Sequence, residues 1–396
     1  MKLAFVTPWY GPDIPGGAEA ETRKTASQLH QAGYDVEILT TCIRDFHADW
    51  ATNYHKPGFS VEDELVVRRF RVEKRDQQTF DQINFKLMQG HFISLAEEEI
   101  FNNEMIHCPD LYAFISEHQE AYIFFFIPYM FTTTYVGAQI CPERSIMIPC
   151  LHDEAYARLN IHKQVFPSIR ALLLHVQAEK ELADTLYPDS GKQIRAVIGE
   201  GVNTDWQGNG NRFREKYRLD NTPFVLYAGR RDAGKNTPQL IHYWQHYLQA
   251  APHTEKLVLI GPGEISIPAD AQDNILDLGF ISMQDKYDAY AAATLLCQPS
   301  LNESFSLVIM ESWLAGTPVL VHADCAVTRS HVRESNGGLY FGNYAEFSAT
   351  LDYFFANPKK ALQMGQQGRA YVLANFQWPT IVAKYDHIIK TIMADL

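Results

Sequence analysis

Cysteine is scarce, with six in 396 residues, no C-x-x-C pair and no recurrent spacing. That leaves no pattern for a zinc site or a disulfide framework and fits a reducing, cytoplasmic setting. Long apolar runs are also missing. The longest, AYIFFFIPYMF from Ala121 to Phe131, is broken by Pro128 and is about half of a membrane span, so no segment is expected to cross a bilayer. The opening MKLAFVTPWYGPD carries one Lys and an apolar run that reads as a strand rather than a signal-peptide core. Positive charge is in the minority, at 34 Lys and Arg against 47 Asp and Glu, for a net charge of −13. Nucleic acid and strongly anionic membranes reward clustered cations and are therefore disfavoured as main partners, leaving at most loose, peripheral membrane contact. The one basic cluster, VVRRFRVEKR (Val66 to Arg75), reads as a strand edge or solvated face, with a docking patch for an anionic surface as the alternative. No compositionally biased tract and no G-x-G-x-x-G occurs, which excludes a fibrous or disordered chain and the dinucleotide fingerprint.

What is present is a grammar used twice. KLAFVT leads through PWYGPDIPGG into AEAETRKTASQLHQAG and then YDVEILTT; PFVLYAG leads through RRDAGKN into TPQLIHYWQHYLQA and then KLVLIG. In the second unit Thr237 suits the N-cap and Pro238 the first helical position. Each is a strand, turn, amphipathic helix and strand, the unit of a parallel sheet covered on both faces. Further strands are expected at ELVVRRF, AYIFFFI, SIMIPC, ALLLHV, KQIRAVI, ILDLGF, TLLCQPS and TPVLVHA. The Gly- and Asn-rich GEGVNTDWQGNGNRF (Gly199 to Phe213) has linker composition. The fold class is thus α/β, two doubly wound Rossmann-like domains facing a central cleft, the first over 1–206 and the second over 207–378. A last helix over 379–396 is expected to return to the first domain.

Three stretches carry chemistry. In PGGAEAE (Pro15 to Glu21), Gly16 and Gly17 let the backbone approach a ligand, and a helix start favours an anion. In GRRDAGK, Arg230 and Lys235 can converge on one polyanion from a tight loop at a strand's carboxyl end. In NESFSLVIMESWLAG, the helix expected from Phe305 to Gly316 is too apolar for an ordinary surface helix and should be largely buried. A buried carboxylate costs several kcal/mol when unpaired, so Glu311 calls for firm donors, either ribose hydroxyls or a backbone or Arg partner. Glu303 reads as a favourable charge at the helix start or as a group facing sugar hydroxyls.

These residues carry a resemblance. NESFSLVIMESWLAGTPVLV is similar to the E-x7-E segment of the retaining glycosyltransferases of family 4, which have the GT-B fold. YAGRRDAGK resembles that family's G-R-x4-K loop, and LVLIGPGE, LGFISMQDKYDAYAAATLLCQPS, GGLYFGNYAEF and FQWPTIVAKYDHIIK resemble its other second-domain elements. PGGAE, IPCLHDEAYA and IRAVIGEGVNT extend the likeness through the first domain. The resemblance implies a nucleotide-diphosphate sugar held by the second domain and an acceptor held by the first. Arg230 and Lys235 would neutralise the diphosphate, helped by the Gly17 amide with Gly16 beside it. Glu311 would hold the ribose, Glu303 the donor sugar, and the main chain around Phe280 and Ile281 the base. Ser304, Phe305, Ser306 and Leu307 would offer first-turn donors. His152 matches the family's histidine near the transferred sugar, with Asp153 and Glu154 on the acceptor side.

The chain departs from the family where E-G-F-G-L becomes Glu303-Ser304-Phe305-Ser306-Leu307, and where Glu200 precedes Gly201 and Asn203 replaces an Asp. No D-x-D triplet is present. The reaction implied is transfer of a hexose with retention and without a metal or other cofactor, from UDP-glucose as first choice or GDP-mannose as second. The acceptor is a hydroxyl of a saccharide or lipid-linked saccharide in polysaccharide biosynthesis. The alternatives are an epimerase of nucleotide sugars and a non-catalytic sugar-nucleotide-binding scaffold.

Overall fold

The computed structural model describes residues 1–14, 16–189 and 191–396, so Pro15 of the first glycine loop lies outside the described residues. The chain forms two compact units, Met1–Gly201 with Ile381–Leu396, and Val202–Thr380. Val202 to Trp206 pack on the second unit: the Val202 amide donates to Phe376 O (2.8 Å), and the Trp206 ring stacks on Tyr287 with centroids 4.0 Å apart.

The first unit holds an eight-stranded sheet in the order β3-β4-β2-β1-β5-β6-β7-β8. Its strands are β1 (Lys2–Thr7), β2 (Val36–Thr41), β3 (Gly58–Glu62), β4 (Leu65–Phe70), β5 (Tyr122–Phe126), β6 (Ser145–Met147), β7 (Ala171–Leu174) and β8 (Ile194–Val197). Every pairing is parallel except that of β3 with β4. β1, β5 and β7 are apolar on both faces and almost wholly buried, as strands covered by helices on both sides must be. The second unit holds β9 (Phe224–Ala228), β10 (Lys256–Ile260), β11 (Ile275–Asp277), β12 (Leu295–Gln298), β13 (Val319–His322) and β14 (Gly338–Phe341), all parallel, in the order β11-β10-β9-β12-β13-β14.

In each sheet the chain reverses its direction of winding once. That point lies between β1 and β5 in the first unit and between β9 and β12 in the second. Ligands of open parallel sheets bind at the carboxyl ends of the strands flanking such a point. The loops after β1, β5, β9 and β12 are therefore where a site is expected; those after β1, β9 and β12 carry the glycine pair, Arg230 with Lys235, and Glu303, while His152 follows β6, the neighbour of β5.

Two local expectations are corrected. The helix Thr237–Ala250 is capped by Asn236 in the left-handed region (φ 57°), not by Thr237; Asn tolerates that conformation, and the Thr237 hydroxyl instead donates to Asp232 O (2.9 Å). The helix expected from Phe305 to Gly316 spans Leu307–Leu314, and Leu307, Val308 and Leu314 are only half-buried. Ser306 in the left-handed region starts it late, and Gly316 (φ 82°) ends it.

The final helix, Trp378–Asp395, crosses from the second unit into the first. There Tyr385 lies 6.0 Å from Phe125, the Tyr34 hydroxyl donates to Asp386 (2.7 Å), and Lys384 Nζ donates to Ile198 O (2.8 Å). No helix among the described residues is long and apolar enough to cross a membrane.

Candidate active site

In the second unit the loop after β9 is shaped by close backbone approach. A Cβ on Gly261, after β10, would stand 2.0 Å from Gly229 O, so the two loops can lie against each other only with glycine there. Of the two arginines that follow Gly229, Arg231 turns inward, bonding Asp277 and Gly263 O, and is 8% exposed. Arg230 points outward, its side chain 61% exposed and Nε 3.4 Å from Asp232 Oδ2. Asp232 also caps the turn Ala233–Lys235 by accepting from the Lys235 amide (2.9 Å).

Lys235 Nζ donates to Glu303 Oε1 at 2.7 Å. Gln298 Nε2, at the end of β12, donates to the same oxygen at 2.9 Å. The Glu303 side chain is 9% exposed, so Lys235 is the cation that offsets its burial. Asn236 Nδ2 ties the two loops together by donating to Pro299 O (3.0 Å). The structure thus brings Lys235 and Glu303 into contact at the switch point and leaves Arg230 at the rim.

Past Glu303 the chain enters its helix through Ser306 at φ 75°, ψ 71°. The Ser306 side chain is buried, and its Oγ has no hydrogen-bond partner among the described residues. Ile309, Met310, Ser312 and Trp313 face the core, and Glu311 looks toward the helix Met283–Ala292. The firm donors expected for Glu311 are present: Tyr290 Oη at 2.8 Å and Lys286 Nζ at 2.7 Å, both on Oε2. They are a tyrosine and a lysine rather than the backbone or an arginine. Burial, then the Glu311 charge, pushes the Tyr290 hydroxyl well above its ordinary pKa, so it stays a proton donor. Phe280 is 84% exposed and Ile281 half-buried, after Gly279 (φ 62°).

In the first unit Gly16 (φ 143°) precedes the helix Gly17–Gln31. A Cβ there would fall 1.9 Å from Glu19 Oε2, whereas one on Gly17 would meet nothing within 4 Å. Glu19 is fixed by Trp9, whose Nε1 donates to it at 2.7 Å. His152 is 28% exposed with Nδ1 3.8 Å from Glu154 Oε1, which accepts from the Tyr129 hydroxyl at 3.0 Å. Asp153 is largely exposed and pairs with Arg158.

Sequence reasoning missed the buried group beneath these loops. His175 Nε2 lies 2.8 Å from Glu21 Oε1 and its Nδ1 3.2 Å from Glu179 Oε2. Glu179 also accepts from the amides of His175 (2.5 Å) and Leu151 (2.7 Å), the latter next to His152. Burial alone would lower the His175 pKa, but the two carboxylates outweigh it and hold the imidazolium well above its ordinary value. Cys150 Sγ lies 3.8 Å from Glu21 Oε2, and the ligand-type atoms of Glu21, Cys150 and His175 lie within 4.8 Å of one another. Glu179 is four residues from His175, but Glu21 is 154 residues away in sequence, and no spacing signals that pair.

Comparison with known proteins bears on the same elements. The family model described as Glycosyl transferases group 1 matches residues 210–371. An uncharacterised glycosyltransferase of Methanocaldococcus jannaschii is 22% identical over 85% of this chain and 84% of its own. A D-inositol 3-phosphate glycosyltransferase of Corynebacterium aurimucosum is 24% identical over 100% and 97%. The sucrose-phosphate synthase of Thermosynechococcus elongatus has a TM-score of 0.71 at 18% identity, covering 100% of both chains. Anabaena HepE in complex with UDP and glucose has one of 0.66 at 16% identity, covering 98% and 99%. The family match takes in Arg230, Lys235, Glu303 and Glu311, so residues 210–371 are similar to the group 1 glycosyltransferases, and the likeness in fold to the solved GT-B glycosyltransferases runs the length of the chain.

Proposed function

We propose that the protein moves a hexose from a nucleotide-diphosphate sugar to a saccharide or lipid-linked saccharide hydroxyl, with retention and without a metal, in the cytoplasm. UDP-glucose is the first choice of donor. The observation that carries this reading is the Lys235–Glu303 pair at the carboxyl ends of β9 and β12, followed at once by a helix start. A neighbour in fold, Anabaena HepE in complex with UDP and glucose, supports a uridine donor. A relative named for GDP-mannose keeps guanosine as the second choice.

In this mechanism the bond from the anomeric carbon to the diphosphate breaks with its electron pair on the leaving oxygen. Lys235 exchanges its carboxylate partner for that oxygen, while Arg230 and the first-turn amides after Ser306 spread the remaining charge. Two cations and a helix start do the work of a divalent ion. Glu303, released from Lys235, accepts from sugar hydroxyls. The acceptor oxygen bonds to the anomeric carbon on the face that the diphosphate leaves, and its proton passes to the departing phosphate. Glu311 Oε1, which takes no hydrogen bond among the described residues, accepts from the ribose, while Lys286 and Tyr290 hold Oε2. His152 and the Gly17 amide serve the transferred sugar and the diphosphate, and Asp153 and Glu154 the acceptor.

Calorimetric titration with UDP and with GDP, in a chelator, on the wild type and on Glu311→Ala tests this. One nucleotide should bind, and the substitution should weaken it about tenfold, the cost of a charged hydrogen bond. The fold should survive, because the Glu311 ion pair is partly exposed and contributes less than about 1 kcal/mol. A folded wild type that binds neither nucleotide, or a variant that binds like the wild type, overturns the assignment. The anomeric configuration of the product, read by NMR, tests retention.

A further inference from the structure

The segment after β2 leaves the first sheet at the carboxyl end, beside the loop after β1. Two aspartates fold it. The His47 amide donates to Asp45 Oδ1 (2.8 Å), the Ala51 amide to Asp49 Oδ1 (3.0 Å) and the Thr52 hydroxyl to Asp49 Oδ2 (2.7 Å). The Trp50 indole N–H is spent on Phe46 O (3.0 Å). These bonds present two rings together, Phe46, 51% exposed, and Trp50, half-buried, with centroids 5.8 Å apart.

The pair is braced from below. Trp9, buried, lies 5.8 Å from each ring, and Phe131 lies 4.9 Å from Trp9 and 5.8 Å from Trp50. Each brace leads to a residue already placed in the site. Trp9 holds Glu19 in the first turn after Gly16 and Gly17, and Phe131 follows by two residues the Tyr129 that bonds Glu154. Phe46 is left half in water on this aromatic base, an exposed apolar ring at the edge of a cluster.

We propose that Phe46 and Trp50 form a stacking subsite for a neutral sugar ring of the acceptor, which rests on the transferase reading above. A pyranose offers an apolar C–H face to such a plane and hydroxyls to its edges, where His47 is exposed. Charge gives an anionic sugar no advantage, because two carboxylates and two guanidiniums balance around the rings. The carboxylates of Asp45 and Asp49 flank the rings, Arg44 is already paired with Asp45 (2.8 Å), and the Arg75 guanidinium faces Trp50 (5.2 Å) and Phe80 (4.9 Å).

The test titrates the intrinsic fluorescence of the full chain with a panel of neutral mono- and disaccharide methyl glycosides, with glucose 6-phosphate and with phosphatidylcholine vesicles. UDP affinity is measured in parallel by calorimetry. At least one neutral glycoside should give a saturable change that Phe46→Ala weakens about tenfold and Phe46→Tyr largely keeps, and that Trp50→Phe strips of its signal more than of its affinity. In the transfer reaction Phe46→Ala should raise KM for that glycoside and not for the donor. No Phe46-dependent binding by any neutral glycoside overturns the proposal, as does tighter binding of glucose 6-phosphate or of vesicles through Phe46. If UDP binds and the glycosides do not, the subsite alone falls. If UDP does not bind, the transferase reading falls whatever the glycosides do.

Discussion

Ser306 stands where the E-G-F-G-L pattern that this stretch resembles has its second glycine, and its φ of 75° is a conformation that glycine adopts freely. A left-handed residue at the helix start lets the chain leave Glu303 and turn at once into Leu307; for an L side chain that turn costs about 1–3 kcal/mol. Its buried hydroxyl has no partner among the described residues. Ser306→Gly should therefore raise the unfolding free energy by about 1–2 kcal/mol in urea titrations, and it should exceed Ser306→Ala by about 1 kcal/mol, because Ala drops the hydroxyl and keeps the strain. Equal stability of the two variants would show that the backbone there is relaxed. The E-x7-E spacing singled out Glu303 and Glu311 in the sequence by position alone. Their partners were not legible there. Gln298, Lys286 and Tyr290 are ordinary residues that acquire meaning only when β12 and the helix Met283–Ala292 are placed beside the carboxylates. Of the adjacent Arg230 and Arg231, nothing in the local sequence says which turns inward.

Elements were legible where burial writes an apolar run. KLAFVT, YIFFF, ALLL, FVLYA and KLVLI all became strands of buried sheet centres. β3 escaped because GFSVE is an exposed edge that owes its place to antiparallel pairing with β4, not to a core face. β14 escaped because only Gly338 and Phe341 of its four residues are buried. Contacts between elements far apart in sequence were the least legible, and His175 is the chief case. It links the helix after Gly17, the end of β7 and the helix Gln177–Leu186 through two carboxylates, all three side chains almost fully buried. Replacing it with Gln leaves two carboxylates without their cation, a loss of about 3–5 kcal/mol. Its pKa is raised on folding, so its contribution is fully present below the unfolded value of about 6.5 and fades as pH rises through the folded value. The stability gap between the wild type and His175→Gln, followed by thermal unfolding, should be widest in mild acid and narrow toward alkaline pH. A gap that widens with pH would mean that His175 is neutral in the fold.

Across the whole molecule the last helix joins what the linker separates. Ile381, Tyr385, Ile388, Ile389 and Ile392 fall on one face of Trp378–Asp395 and are buried. The stripe has helical periodicity, which by itself does not name the surface it covers. Contacts from Tyr385, Asp386 and Lys384 to Phe125, Tyr34 and Ile198 give the answer: the first unit, whose folded set of residues is closed by the far end of the chain. Five apolar side chains at about 1.5–3 kcal/mol each amount to roughly 10 kcal/mol as an upper estimate, which rivals the whole stability of a domain of this size. A chain ending at Thr380 should therefore lose the first unit and keep the second. Hydrogen exchange read by mass spectrometry should show β1, β5 and β7 exchanging freely while β9, β10 and β12 remain protected. Uniform protection in both units would make the helix a surface addition, and loss in both would make the two units one cooperative body. The selective outcome would also give the second unit a use of its own, as a folded fragment in which nucleotide binding can be measured with the acceptor residues absent.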